Sequence, residues 1–310
     1  MTQRIAILGP GGVGGLVAAA LTRAGADVTV VARESTAELI ARQGIAVESV
    51  VLGDFTARPA AVAQLTAAVD VLIVATKAAA LDAALARIDA TAPALVVPLL
   101  NGFDHMALLR ERFPDRVAAG TIRVQADRIL DPPIPPARVV QGGRFLFVEL
   151  ASDAAALRAP LAALAELLAQ AGVENRVRED EARILWGKLV RLNTLACMTA
   201  AYDAPFGAIR SDPARWAELT ACVHEGVAVA RAEGADIDPA VVFGEFEVIH
   251  DGFGTSMQRD VAAGREPELD AIAGAVLRAG ARHGIACPTI AGLAARIAER
   301  AGVSAPAAVA

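Results

Sequence analysis

Along the first half of the chain, short runs of β-branched and aliphatic residues alternate with longer stretches whose apolar positions recur at helical spacing. Candidate strands are Arg4 to Leu8, Val28 to Ala32, Val69 to Ala75, Leu95 to Leu99 and Val117 to Ile122. Between the first two, Val13 to Ala24 reads as a helix that stops at Gly25, a residue type free to take the left-handed conformation that closes helices. Strand, helix and strand in this order predict βαβ units around a parallel sheet. The stretch Asp131-Pro-Pro-Ile-Pro-Pro136 has the composition of a linker. Because the β-rich segments Arg138 to Gln141 and Phe145 to Leu150 follow at once, it is expected to be a surface loop within the first domain. From about Glu179 strand signals stop, and amphipathic helices are expected to begin near Asp180, Pro213, Pro239, Glu268 and Pro288. The pattern predicts an α/β N-terminal domain over 1–178 and an all-helical C-terminal domain over 179–310, with the terminal SAPAAVA frayed.

Composition narrows the function classes. A chain of 310 residues with 55% hydrophobic and 21% charged residues can bury sizeable cores, which excludes general disorder. The formal charge of −6 supplies no attraction for a polyanion, so nucleic acid is not an expected partner. Cys197, Cys222 and Cys287 are far apart without C-x-x-C spacing, and the four histidines show no H-x-x-H arrangement, so neither a disulfide framework nor a metal site is expected. No secretory core and no long uncharged apolar stretch is visible, so the reading is a cytoplasmic protein without a membrane partner. A G-x-S-x-G elbow and a P-loop are both absent, which removes hydrolase and kinase chemistry.

The chemistry starts at Gly9-Pro-Gly11-Gly12-Val13-Gly14. Gly9, Gly11 and Gly14 form G-x-G-x-x-G directly after a strand and directly before a helix, the context this string needs. The first glycine permits the tight turn, the second lets backbone approach a pyrophosphate, and the third lets helix and strand pack closely. The helix N-terminus offers unpaired N–H groups to the phosphates. A dinucleotide site is therefore expected, against the plainer reading of a turn that only joins strand to helix. Which dinucleotide is decided at the end of the second strand, where an acid would bind a ribose 2′-hydroxyl and a guanidinium a 2′-phosphate. There the chain reads Val30-Val31-Ala32-Arg33, with Arg33 19 residues after Gly14, which favours NADP. A solvated surface Arg33, or Glu34 reaching a ribose, remain the alternatives.

GPGGVGG, Thr76-Lys77, Asn101-Gly102, Trp186-Gly-Lys-Leu189 and Thr255-Ser-Met-Gln-Arg-Asp260 with Glu268 occur in this order. The chain resembles the ketopantoate reductase (2-dehydropantoate 2-reductase) family from Ile5 to about Ala295. The resemblance implies a Rossmann domain, a helical domain, and NADPH-dependent reduction of a 2-oxo acid in the cleft between them, a step of pantothenate biosynthesis. It places the catalytic lysine on Lys188, the glutamate that orients it on Glu268, and the substrate-holding serine on Ser256. Asn101 would contact the nicotinamide end and the substrate, and Lys77 the cofactor, beside Gly9, Gly11, Gly12, Val13, Gly14 and Arg33. The assignments suit the reaction, since hydride arriving at a ketone puts negative charge on its oxygen, and an ammonium within reach can stabilise and protonate it. Lysine on an apolar helix needs solvent or an acidic partner, and Glu268 would be that partner.

This chain also departs from the family. Leu192 and Ala196 stand where the family commonly has two asparagines, Ala80 where it often has glutamine, and Phe253 where it has asparagine. The nearest amide, Asn193, lies about 100° further round the helix and is the remaining amide expected to reach substrate. A more apolar substrate pocket is thus expected, with ketopantoate or a bulkier 2-oxo acid as the small-molecule partner. A non-catalytic NADP sensor of the same fold is the competing class, and Lys188 with Glu268 separates the two, because a sensor needs no proton donor. A homodimer fits the reading, but the sequence leaves the assembly open.

Overall fold

The strand that carries the glycine loop, β1 (Arg4–Leu8), is buried at four of its five positions because it runs through the middle of a sheet. The structure, a computed structural model, describes residues 3–89, 92–129 and 137–307; the Asp131–Pro136 stretch and residues 308–310 lie outside them. The chain divides into two units, 1–100 with 105–184, and 101–104 with 185–310.

In the first unit β1 is followed by α1 (Gly12–Arg23), β2 (Asp27–Val31), α2 (Glu34–Gln43), β3 (Ile45–Ser49), β4 (Phe55–Ala57), β5 (Ala60–Val62), β6 (Val71–Val74), α3 (Leu81–Leu85) and β7 (Leu95–Pro98). Then come α4 (His105–Arg112), β8 (Ala119–Ile129), β9 (Ala137–Ala151), α5 (Arg158–Gln170) and β10 (Glu174–Arg178). One sheet has the order β5-β2-β1-β6-β7 with every pair parallel. Strand order reverses at β1, so the loop after β1 lies at the switch point, the crevice where open parallel sheets bind ligands. The expected parallel sheet is present, and a second sheet accompanies it. There β10, β9, β3 and β4 are neighbours in that order, and β8 pairs antiparallel with β9. Helix α1 packs on strands of both sheets, and Gly14 to Leu21 are all buried, as a helix between two layers requires. It ends as expected at Gly25, whose φ is +87°.

Several strand expectations are revised. The expected Val117–Ile122 strand begins at Ala119 and runs on to Ile129, and the two expected pieces at 138–141 and 145–150 are one strand, Ala137–Ala151. Gly142 and Gly143 interrupt the hydrophobic alternation, yet Gly143 takes φ +73° and the ladder resumes after a register shift opposite Val124 and Gln125. β3, β4, β5 and β10 were not anticipated. β10 pairs along β9 but is largely exposed, so its sequence ENRVR shows no apolar face.

In the second unit, the helices are the remainder of α6 (Glu181–Tyr202), then α7 (Phe206–Arg210), α8 (Pro213–Ala232), α9 (Pro239–Glu247), α10 (Ser256–Ala262), α11 (Ala275–Arg282) and α12 (Pro288–Ala301), with a π turn at Asp270–Gly274. The second unit has no strand among its described residues, as the hydrophobic pattern predicts. Helices α8 and α9 start at Pro213 and Pro239 behind Asp212 and Asp238, whose carboxylates accept from backbone N–H groups of the first turn.

Candidate functional site

The glycine loop is shaped by backbone crowding. Gly9 has φ +91°, and the Gly11 N–H donates to its carbonyl at 2.9 Å. A Cβ on Gly14 would stand 2.2 Å from the Gly9 carbonyl oxygen, and one on Gly12 2.0 Å from that of Ala126 on β8. A Cβ on Gly11 would meet nothing within 4 Å, so open space lies over the second glycine, where a pyrophosphate needs it. Gly11 caps α1 without a side-chain hydrogen bond, and the first turn holds no acid, which leaves its N–H groups and the positive dipole end available to an anion. Val13 follows in that turn, half-buried. Beside Gly9, the Thr76 hydroxyl is buried with no partner among the described residues. A cradle that three Cβ atoms would spoil or crowd, with an orphaned hydroxyl at its edge, fits a dinucleotide.

At the end of β2 the side chain next to Ala32 belongs to Arg33, which is exposed and in no ion pair among the described residues. Glu34, the competing ribose ligand, is taken: Arg87 contacts its carboxylate at 3.1 Å and also donates to the carbonyls of Ala63 and Ala32. A backbone N–H, and after it Arg87, holds the Glu34 carboxyl below its ordinary range. Lys77 is exposed after β6, at the start of a 3-10 turn over Ala78–Ala80.

The second unit gathers side chains from three distant segments. Residues 101–104 belong to it although the chain on either side belongs to the first unit. Asn101 Nδ2 donates to Glu268 Oε2 at 3.0 Å across a sequence separation of 167. Gly102 has φ +77°, and a Cβ there would stand 2.1 Å from the carbonyl oxygen of Ala271 in the π turn, so only glycine allows the approach. The Phe103 ring lies 5.0 Å from that of Trp186 on α6, and Asp104 accepts from Arg278 at 2.7 Å. Glu268 sits just before the π turn, its carbonyl accepting from Ile272 N–H, so a helix start near Glu268 is observed. Lys188, two residues after Trp186, is half-buried on α6.

The serine segment begins a short helix. Thr255, not Ser256, caps α10, accepting from Gln258 N–H, while Ser256 is the first helical residue and is exposed. The buried Thr255 hydroxyl also meets that of Thr199 on α6 at 2.8 Å, which ties the serine to the lysine's helix. The hydrophobic pattern and the motif spacing give no sign of this tie. Asp260 pairs with Arg265 at 2.8 Å, in keeping with a structural role.

Asn193 needs correction. It is fully buried, its amide nitrogen donates to Cys222 Sγ at 3.6 Å, and its oxygen accepts from Cys197 Sγ at 3.4 Å. Both ends are used inside the helical core, which leaves no surface for a substrate. Ala196 is likewise 1% exposed and cannot line a pocket wall, whereas Leu192 is half-buried. No group of histidine, cysteine and acidic side chains among the described residues has metal-binding geometry, and no helix of the described residues is long and apolar enough to cross a membrane.

A glycine cradle at the switch point of a parallel sheet, followed by a helical unit that brings an asparagine and a carboxylate together, defines a dinucleotide-binding oxidoreductase. The family model of ketopantoate reductase PanE/ApbA matches residues 5–142, and that of its C-terminal region matches 180–301, so the chain belongs to the ketopantoate reductase family, oxidoreductases acting on CH–OH groups. The 2-dehydropantoate 2-reductase of Caulobacter vibrioides is 33% identical over 92% of this chain and 94% of its own length. That of Halobacterium salinarum is 30% identical over 97% and 100%. Among solved structures, the 2-dehydropantoate 2-reductase of Geobacter metallireducens superposes with a TM-score of 0.84 at 27% identity, covering 96% of this chain and 99% of its own. A D-mandelate dehydrogenase with NADH and anilino(oxo)acetate shares the fold, with a TM-score of 0.85 at 22% identity over 96% and 98%.

Proposed function

We propose that this protein reduces a 2-oxo acid of the ketopantoate class to the 2-hydroxy acid with NADPH. The observation that carries the reading is the Asn101–Glu268 hydrogen bond, two polar groups from opposite parts of the chain held together by a glycine that admits no side chain. When bound, the nicotinamide supplies the hydride. Lys188 donates the proton to the oxygen that gains charge, Glu268 orients that ammonium, Asn101 holds the carbonyl end, and the exposed Ser256 hydroxyl binds the substrate carboxylate. NADPH is preferred over NADH because Arg33 has no acidic partner among the described residues while Glu34 is held by Arg87. Lys77 reaches the same cofactor. The helical unit provides the substrate side and the homodimer contact, in a cytoplasmic enzyme. The relatives described above are named reductases, and a non-catalytic sensor has no counterpart among them.

The test is initial rates over a panel of 2-oxo acids with each cofactor. NADPH should give a kcat/KM at least about tenfold above NADH, the worth of charge-assisted bonds to one phosphate. Equal values would refute the cofactor choice. Within the panel, Leu192 in place of an amide should favour branched or aromatic side chains over hydroxylated ones. Ketopantoate as the best substrate of a broad panel would show that other groups satisfy its hydroxyl.

A further inference from the structure

The first unit holds a second guanidinium that the reading so far does not use. Arg128 lies near the end of β8, in antiparallel register with Val139 of β9. Side chains directly opposed in an antiparallel pair point to one face of the sheet. Val139 faces α1, for a Cβ on Gly15 would stand 2.9 Å from its Cγ2. Arg128 therefore projects to the face against which the glycine loop and α1 are packed. Two residues earlier on the same strand, Ala126 presents its carbonyl to Gly12.

The electrostatics of this arginine are unusual. Its Nε is buried with no hydrogen-bond partner, and it forms no ion pair among the described residues. Burial, and after it the like charge of Arg33, hold its guanidinium below the ordinary value. Two guanidiniums near each other, neither with a carboxylate among the described residues, repel unless an anion stands between them. Arg33 is already the residue at the ribose-discriminating end of β2.

We propose that Arg128 is a second ligand of the cofactor's 2′-phosphate, so that Arg33 from β2 and Arg128 from β8 close on that group from two sides. The inference rests on the NADPH reading. Arg33, exposed at the end of β2, supplies attraction; Arg128, held by its strand, supplies direction, and its unpartnered Nε gains the acceptor it lacks.

The experiment is calorimetric binding of two probes that differ only in the group at issue, adenosine 2′,5′-bisphosphate and 5′-AMP, to the full chain and to Arg33→Ala, Arg128→Gln and Arg128→Lys. The parent should prefer the bisphosphate. Arg128→Gln should weaken the bisphosphate about tenfold or more and leave 5′-AMP within about twofold, with Arg128→Lys between, because a lysine keeps the charge but not the fork. Melting temperature checks that each variant is folded, and Arg128→Lys, which keeps the charge and the stem, stands in should Arg128→Gln fail to fold. If the parent binds both probes equally, the NADPH reading and this inference fall together. If the parent discriminates, Arg33→Ala loses the discrimination and Arg128→Gln keeps it, this inference alone is wrong. Equal weakening of both probes by Arg128→Gln would place Arg128 on the base or the 5′-phosphate and would also overturn it.

Discussion

The two units build their sites from different materials. In the first, the nucleotide cradle is backbone: the four glycines among positions 9–14 shape it, and a Cβ on Gly14 or Gly12 would meet the main-chain oxygens of Gly9 and Ala126, one on Gly9 the side chain of Thr76. In the second, the proposed site is side chains: Asn101 and Glu268, 167 residues apart, are hydrogen-bonded, and Lys188 and Ser256 are proposed to act with them. A backbone site is local, and it bars a side chain at Gly9, Gly12 and Gly14. A side-chain site is global, and it depends on devices such as Gly102 and the Thr199–Thr255 pair that do no chemistry themselves.

The largest expected effect separates the two materials cleanly. Lys188→Ala should lower kcat by about 10²–10⁴ while the dissociation constant for NADPH stays within about threefold, because the proposed proton donor and the glycine cradle belong to different units. Stopped-flow turnover with cofactor titration measures both. A variant turning over within threefold of the parent would mean that water or another group delivers the proton, and the side-chain site would lose its centre. Because Lys188 and Glu268 act as one unit in this reading, a Lys188→Ala, Glu268→Ala double variant should be much less impaired than the product of the single effects.

Next in size comes a matched pair of glycine substitutions. Gly14→Ala places a Cβ 2.2 Å from the Gly9 carbonyl oxygen, and Gly102→Ala one 2.1 Å from that of Ala271. Each forces backbone apart, which costs about 1–3 kcal/mol where the structure relaxes. The readouts should cross. Gly14→Ala should weaken adenosine 2′,5′-bisphosphate by about tenfold or more, whereas Gly102→Ala should leave that affinity alone and lower kcat/KM by a similar factor, since it pulls Asn101 from Glu268. If Gly102→Ala weakened the nucleotide probe as much as Gly14→Ala does, the division between backbone and side-chain sites would be wrong.

The same division explains what the sequence discloses. Gly9, Gly11, Gly14 and α1 are legible because a φ of +91° and a carbonyl 2.2 Å from a missing Cβ write themselves as glycine at fixed offsets beside an apolar strand. The buried strands β1, β6 and β7 are legible because water is absent on both faces. β10 is not, since a largely exposed strand needs no apolar face, and the 15-residue β9 reads as two pieces because its glycines break the alternation. In the helical unit, Thr255 and Ser256 are adjacent and chemically alike, so spacing cannot say which caps α10. Asn193 is misread for a related reason: a periodicity places its side chain round the helix but not what packs on it, and what packs on it is Cys222.

The smallest expected effect tests that buried cluster, in which the helical unit holds polar groups without using them for chemistry. Burial pushes the Cys222 thiol up to about 12 and the Cys287 thiol up to about 11, and it raises Cys197 as well. A thiol whose folded pKa exceeds its unfolded value favours the native state fully below the unfolded pKa, near 8.5, and loses that contribution as pH rises through the folded value. Stability from urea unfolding should therefore be insensitive to these groups from pH 6 to 8 and fall from about pH 9 upward. At pH 8 the folded protein should leave all three thiols unmodified by a neutral disulfide reagent, and the unfolded chain should titrate three. Asn193→Ala should lower stability by about 1–3 kcal/mol through the sulfur contacts it abandons, with kcat unchanged. A drop in kcat without a drop in stability would return Asn193 to the substrate and take it out of the core.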